Sequence, residues 1–264
     1  MTTTDDLTTA AITNGILQGR TAFIGRQVLY CPGTNSTMDV ARQLANDGSP
    51  EGTIVLTDEQ TTGRGRLRRS WVSPPGANIL LTVLLRPRLA ELPMLTIAAS
   101  LAVAHAIEET TNLTAMIKWP NDVLVAGRKV CGILLESDVR GETVAFTTVG
   151  IGLNVNFDAN AFPEIAATAT SLMTEVGRPV SRLLVLRSLL QHLENYYLSV
   201  RRGEPVHLEW GQRLETIGRW IRVTGVDHIE EGYAEAVDEE GHLLLRRADG
   251  TLAQIFAGDV TLRA

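Results

Sequence analysis

Two cysteines in 264 residues leave no scope for a disulfide framework. Cys31 and Cys131 both sit in apolar runs and read as reduced, buried thiols of a cytoplasmic protein. Aromatic residues are scarce at 5%, and 24 Lys and Arg face 30 Asp and Glu, for a net charge of −6. A nucleic-acid surface needs broad positive faces and stacking rings, so both shortages argue against one. The charge also argues against a membrane-surface protein. The longest apolar stretch, 94–107, is broken by Thr96, Ser100 and His105. It is shorter than the ~18–20 residues a membrane span needs and reads as a core helix. The opening MTTTDDLTTA has acids but neither a basic start nor an apolar core, so no secretory signal is expected.

Several chemical signatures are also missing. Histidines 105, 192, 207, 228 and 242 show no His-x3–5-His pairing and neither cysteine has a close partner, which argues against a zinc site. No GxxxxGK[ST] phosphate loop and no GxSxG nucleophile elbow occur. Gly150-Ile151-Gly152 resembles the start of a dinucleotide fingerprint, but Val155 stands where the third glycine belongs and the continuation reads as a strand. What remains is electrostatic chemistry, with arginines, lysines and backbone amides handling anions.

The hydrophobic pattern predicts an α+β protein. Residues 1–24 read as a flexible opening segment, 25–214 as an α+β domain and 215–264 as a small all-β module. Strands are expected at 27–31, 53–57, 78–86, 114–119, 130–136, 143–149 and 153–156, and helices at 35–46, after Pro93, and at 181–200. From about Ile217 short strands alternate with Gly/Asp turns, which is sandwich- or barrel-like spacing. Strand 143–149 is a candidate edge strand, leaving monomer and homodimer both open.

Four segments hold residues that a core does not need. Ser36-Thr37-Met38 opens a helix, where the hydroxyls serve equally as caps or as ligand donors. Residues 63–71, GRGRLRRSW, place four arginines in an otherwise acidic chain. The glycines let the backbone fold around a ligand while planar guanidiniums meet phosphate or carboxylate oxygens. A solvated basic loop is the plain alternative. Lys118-Trp119-Pro120-Asn121-Asp122 ends a strand in a turn, and Lys129 then leads into VCGILLE, where Gly132 implies close approach by a ligand or backbone. The fourth segment, Gly150-Ile151-Gly152-Leu153-Asn154, reads as a turn after a strand.

In this order the segments resemble the biotin–protein ligases: Ser-Thr at 36–37, GRGRxxRxW at 63–71, KWPND at 118–122, RKxxGIL at 128–134 and GxGxN at 150–154, closed by Gly258-Asp259-Val260 and Leu262-Arg263. The resemblance spans roughly 25–264. It implies a class II aminoacyl-tRNA synthetase-like catalytic domain, a mixed sheet flanked by helices, followed by an SH3-like β-barrel. It also implies two steps. Biotin and ATP, with Mg2+, give biotinyl-5′-adenylate, which then acylates a lysine of a biotin carboxyl carrier protein, the biotin domain of a carboxylase.

By the same resemblance Lys129 and Arg66 are catalytic. Biotin falls to Ser36, Thr37, Met38, Gln60, Gly63, Arg64, Gly65, Arg66, Lys129, Gly132, Gly150 and Gly152. The ATP or adenylate side falls to Arg64, Arg66, Arg69, Trp71, Lys118, Asn121, Asp122, Lys129 and Asn154. No protein metal ligands are implied. Segment 60–71 would close over the adenylate, and Asp122 is a candidate base for the acceptor amine. Met38 departs from the asparagine that many relatives carry after Ser-Thr. About two dozen residues precede the catalytic domain, too few for a helix-turn-helix, so a monofunctional ligase without DNA binding is expected. The alternative is a lipoate or octanoate ligase or transferase on a related fold.

Overall fold

The computed structural model describes residues 7, 11–12, 21–66, 69–225 and 229–262. The first elements are β1 (Val28–Thr34), α1 (Thr37–Asn46), β2 (Ile54–Gln60), β3 (Ile79–Leu85), α2 (Leu92–Thr111), β4 (Ala115–Lys118) and β5 (Asp122–Val125). Next come β6 (Arg128–Arg140), β7 (Thr143–Leu153), α3 (Leu172–Val176), α4 (Arg182–Arg201) and α5 (Val206–Gln212). Their strands form one mixed sheet in the order β1-β2-β3-β7-β6-β5-β4. Within it β1 and β2 run parallel and every other neighbour antiparallel. A second, antiparallel sheet follows, made of β8 (Trp220–Thr224), β9 (Ile229–Val237), β10 (Leu243–Arg246), β11 (Leu252–Ile255) and β12 (Asp259–Leu262), in the order β11-β10-β9-β8-β12.

Strand alternation decides which face does what. In β3, ILLTVLL is buried throughout, as a strand covered on both faces should be. Ile79, Leu81, Val83 and Leu85 join the main core with Ala99 and Val103 of α2 and Leu186 and Leu190 of α4. The alternate residues face α1: Leu84 packs with Ala45, and the Thr82 hydroxyl donates to Thr37. The sheet therefore has a core face and a site face.

Helix α2 carries Pro93 at its start and ends on Asn112 in the left-handed conformation, φ 59°, as helix termini favour. Apolar on all sides, it is expected to be buried all round. Leu95, Ala99 and Val103 enter the main core. Ile97, Ala98 and Leu101 enter a second core with Trp119, Trp210 and the β8 and β10 residues Ile221, Val223, Leu243 and Leu245. One helix thus joins the two sheets. The segment 89–111 is long and apolar enough to cross a membrane by composition, but 67% of its apolar 18-residue stretch is buried inside the protein. Both cysteines are free, and burial pushes the Cys131 thiol pKa well up.

Several expectations change. Residues 143–149 and 153–156 are not two strands with a glycine turn between them; Gly150 and Gly152 lie inside β7. The edge expected at 143–149 is confined to its first half: Thr143, Val144 and Phe146 pair with β6 alone, whereas Thr147, Thr148 and Val149 pair with β3 on one side and β6 on the other. Short β5, of which only Asp122 is expected in a turn and the rest carries no assignment, pairs on both sides with β4 and β6. The opening segment falls largely outside the described residues. Within it Leu7, Ile12 and Ile24 are buried in the main core, and the amides of Phe23 and Ile24 donate to Glu194. A loose start does not describe those positions.

Candidate active site

A cavity of about 560 Å³ opens on the site face of the mixed sheet. Its floor is a row of directly paired residues, Leu80 in β3, Gly152 in β7, Gly132 in β6, Asp122 in β5 and Lys118 in β4. The two glycines make room for an indole. A Cβ on Gly152 would stand 2.5 Å from Cε2 of Trp71, and one on Gly132 would stand 2.9 Å from its Cζ3. Both glycines lie within strands, and their role is close approach, not turn formation. In the adjoining row Gly150 stands opposite Thr82 and Leu134, and a Cβ there would meet Sδ of Met38 at 2.8 Å. Met38 therefore packs on the floor.

The start of α1 makes the polar end of the cavity. Ser36 caps the helix, its hydroxyl accepting from the Met38 amide at 3.3 Å. Gln60, the last residue of β2, accepts through Oε1 from the Thr37 amide at 2.9 Å and from its hydroxyl at 3.1 Å. Thr82 donates to that hydroxyl at 2.8 Å. Capping and wall formation coexist in the same hydroxyls.

The arginine segment closes on itself. Trp71 N–H donates to the Gly63 carbonyl at 3.0 Å and Gly65 N–H to the Arg69 carbonyl at 2.7 Å. The described cations around it each have a partner. Arg66 donates to Asn121 Oδ1 at 3.1 Å and to the Gly258 carbonyl at 3.3 Å. Arg69 pairs with Asp259 at the start of β12. Lys129 Nζ lies 2.7 Å from Asp122 Oδ1 and 5.6 Å from the centroid of the Trp71 ring. Asn121 is fixed through its own amide nitrogen, which donates to the Ile133 carbonyl at 2.7 Å.

Of the residues expected at the site, Ser36, Thr37, Met38, Gln60, Arg64, Gly65, Arg66, Arg69, Trp71, Lys118, Asn121, Asp122, Lys129, Gly132, Gly150, Gly152 and Asn154 all line this cavity. Two differ from expectation. Gly63 stands behind the wall, where a Cβ would meet the Trp71 carbonyl at 3.0 Å. Arg64 reaches the wall but turns its guanidinium onto Asp39, at 2.7 and 2.8 Å, because a bidentate carboxylate is the best partner in reach. Trp119, at the centre of KWPND, is 2% exposed in the second core and donates from Nε1 to the Gly241 carbonyl at 3.0 Å.

Sequence reasoning missed other residues at the site. Thr82, behind the wall and bonded to Thr37, reads as one polar residue in an apolar strand, and strand parity is the signal that could have found it. Asp259 lies in a recognised terminal motif but needed the second sheet's position to acquire a role. Glu164, Ile165, Thr168 and Ala169 also line the cavity; there the Lys129 N–H donates to the Thr168 carbonyl at 2.8 Å. They carry no motif.

Asp259 Oδ2 of the wall is ion-paired with Arg69, whereas two other buried polar atoms of the wall, Trp71 Nε1 and Asn154 Oδ1, have no hydrogen-bond partner among the described residues. A buried donor or acceptor left unpaired is costly, so both point to a ligand that supplies the missing group. Among the described residues no group of three His, Cys, Asp or Glu side chains could hold a metal ion.

Residues 30–154 match the biotin/lipoate A/B protein ligase family, and residues 216–263 match the biotin protein ligase C-terminal domain. The chain is similar to the bifunctional ligase/repressor BirA of Bacillus subtilis (strain 168), 37% identical over 92% of this chain and 76% of the relative. It is also similar to the biotin–[acetyl-CoA-carboxylase] ligase of Paracoccus denitrificans, 35% identical over 85% of this chain and 98% of the relative. The solved structure of biotin protein ligase from Aquifex aeolicus in complex with biotin and ATP superposes with a TM-score of 0.78. It is 28% identical and covers 90% of this chain and 99% of that one.

Proposed function

The chain belongs to the biotin protein ligase family, and from that premise we propose that it activates biotin with ATP and transfers it to a lysine of a biotin carboxyl carrier domain. One observation carries the reading best. A glycine-floored row runs from Gly152 to Asp122 and Lys118, with Trp71 across it and Lys129 over the ring, while the Thr37–Gln60 pair forms the polar end of the same cavity. Two anionic partners have to meet in such a site, and fixed cations make that meeting less repulsive.

In the first step a biotin carboxylate oxygen attacks the α-phosphorus of ATP, and the bond to pyrophosphate breaks. Lys129 bridges the carboxylate and the α-phosphate, with Arg66 beside it to meet charge developing on the phosphoryl oxygens. Ser36, Thr37 and Gln60 bond the ureido ring, and Met38 packs against the ligand's apolar part. Trp71, Asn121 and Asn154 serve the nucleotide, Arg69 and Lys118 its phosphates. Magnesium enters with ATP as the counter-ion of those phosphates. In the second step the carrier's lysine amine attacks the acyl carbon and AMP leaves. Asp122 is the carboxylate nearest Lys129 and is assigned to receive the amine's proton. The segment 63–71 screens the adenylate, a hydrolysable mixed anhydride, from water.

The working division is a catalytic part, 25–214, and a C-terminal part, 215–264, sharing the core around Trp119. The partner is the biotin domain of a carboxylase, and the cytoplasm is the compartment this reading implies. DNA and membrane partners are not called for by an acidic chain, and every residue given a role belongs to one copy.

The test is pyrophosphate exchange into ATP dependent on biotin, followed by labelling of a carrier domain. Lipoate run in parallel separates the related fold's other acid. Exchange with lipoate and none with biotin would overturn the assignment.

A further inference from the structure

Arg64 leaves the cavity at its tip and meets the first turn of α1. Its two terminal nitrogens donate to the two oxygens of Asp39, at 2.8 and 2.7 Å. Glu136 of β6 stands 3.9 Å from the same guanidinium and also pairs with Arg42, which lies 3.7 Å from Asp39. Two carboxylates and two arginines, drawn from α1, β6 and the arginine segment, alternate in a closed ring of charge. The fork-on-fork contact fixes orientation as well as distance. The Arg64 hydrogen bonds are the main reason the Asp39 carboxyl is held below its usual range, against a smaller opposing effect of burial. Arg64 is raised in turn, chiefly by the same bonds.

The ring's place in the fold gives it a use. Asp39 shares the first turn of α1 with Thr37, whose amide and hydroxyl are held by Gln60. On the other side, Arg64 pairs through its backbone with Ser70 and leads directly into Gly65 and Arg66. The Asp39–Arg64 contact therefore joins the polar end of the cavity to the wall that carries Arg66.

We propose that Asp39, backed by Glu136, is a positioning residue that holds Arg64, and with it the Gly63–Arg66 backbone, at a fixed spacing from Ser36, Thr37 and Gln60. Asp39 touches no reacting atom. The inference rests on the biotin-ligase reading of the cavity. Its effect falls on biotin affinity and leaves the chemical step alone.

Asp39→Asn keeps the shape and removes the charge. The dissociation constant and KM for biotin should rise about three- to fivefold, as loss of one exposed bidentate pair allows, while kcat for pyrophosphate exchange and the melting temperature stay put. Because the pair is partly exposed, salt should weaken biotin binding by the wild type more than by the variant. A double-mutant cycle with Arg64→Gln covers the case in which Asp39→Asn harms folding. A brace predicts that the double variant binds biotin no worse than Arg64→Gln alone, whereas a folding defect would add to it. Unchanged biotin affinity in Asp39→Asn, or full additivity in the cycle, overturns the proposal. A wild-type protein that lacks biotin-dependent exchange would instead remove the parent reading, and the brace with it.

Discussion

Lys129 Nζ stands 2.7 Å from Asp122 Oδ1 at the end of the glycine row. The lysine emerges from the second residue of β6, and the aspartate opens β5, the neighbouring strand. Side-chain exposures of 35% and 23% show that solvent still reaches the pair. The contact orients the ammonium without sealing it away, so an incoming carboxylate and phosphate can take over from Asp122.

Lys129→Ala should therefore abolish the adenylation step while biotin still binds. Fixed charges at the reacting phosphoryl group are worth about 100-fold or more in rate. Isotope exchange should fall by at least about that factor, while calorimetry still registers biotin. Normal exchange in this variant would take Lys129 out of the chemical step.

Gly152 and Gly150, two residues apart in β7, should respond differently to alanine. At Gly152 the added methyl meets a rigid indole at 2.5 Å, whereas at Gly150 it meets the flexible thioether of Met38 at 2.8 Å. Overpacking against a rigid neighbour costs about 1–3 kcal/mol. Gly152→Ala should weaken ATP binding roughly tenfold, with Gly150→Ala much milder. Nucleotide titration compares the two, and equal effects would mean that Trp71 does not set the nucleotide wall.

These glycines also mark how far the sequence could be read. Each motif was legible because its residues were out of place for a core, as with arginines between glycines or Lys129 ahead of an apolar run. The cavity they share follows from pairing register, which no local pattern contains. Gly150-Ile151-Gly152 reads as a turn because glycines usually end strands; only the side chains lying on them explain why they continue one. Thr82 and Thr168 were invisible for the same reason. Thr82 reaches the Thr37 hydroxyl by strand parity, and Thr168 enters the wall by a single long-range bond. Arg64 was legible as a cation, but its partner Asp39, 25 residues away in sequence, was not.

Trp119 separates stability from binding within one motif. Its indole is buried between α2 and the second sheet, bonded to the Gly241 carbonyl at 3.0 Å, while Lys118 and Asn121 on either side line the cavity. Trp119→Phe should lower unfolding free energy by about 1–3 kcal/mol, from an unpaired carbonyl and lost packing. Biotin affinity should be unchanged. Urea denaturation with a binding titration checks both, and a binding loss without destabilisation would contradict the assignment.

A cluster whose side chains lie outside the cavity lining should govern stability in acid. Arg213 bonds Glu108 at 2.7 Å and lies 3.4 Å from Glu209, which also accepts from Tyr196 at 2.7 Å and contacts His105 at 2.7 Å. Burial alone would raise the pKa of both glutamates. For Glu108 the Arg213 hydrogen bonds, the Ala115 amide and nearby positive charge reverse the sign, leaving it below 4.5. For Glu209 the bonds from His105 and Tyr196, with charge from His105 and Arg213, do the same. A carboxylate depressed on folding stabilises the native state above its unfolded pKa, and that contribution disappears as pH falls through the folded one. The window lies below 4.5, the ordinary value for both groups. Arg213→Met should thus melt below the wild type near neutral pH, and the gap should narrow between about pH 5 and about pH 3. Thermal melts across that range decide the matter, because a gap independent of pH would show that Arg213 acts through packing and not through these charges.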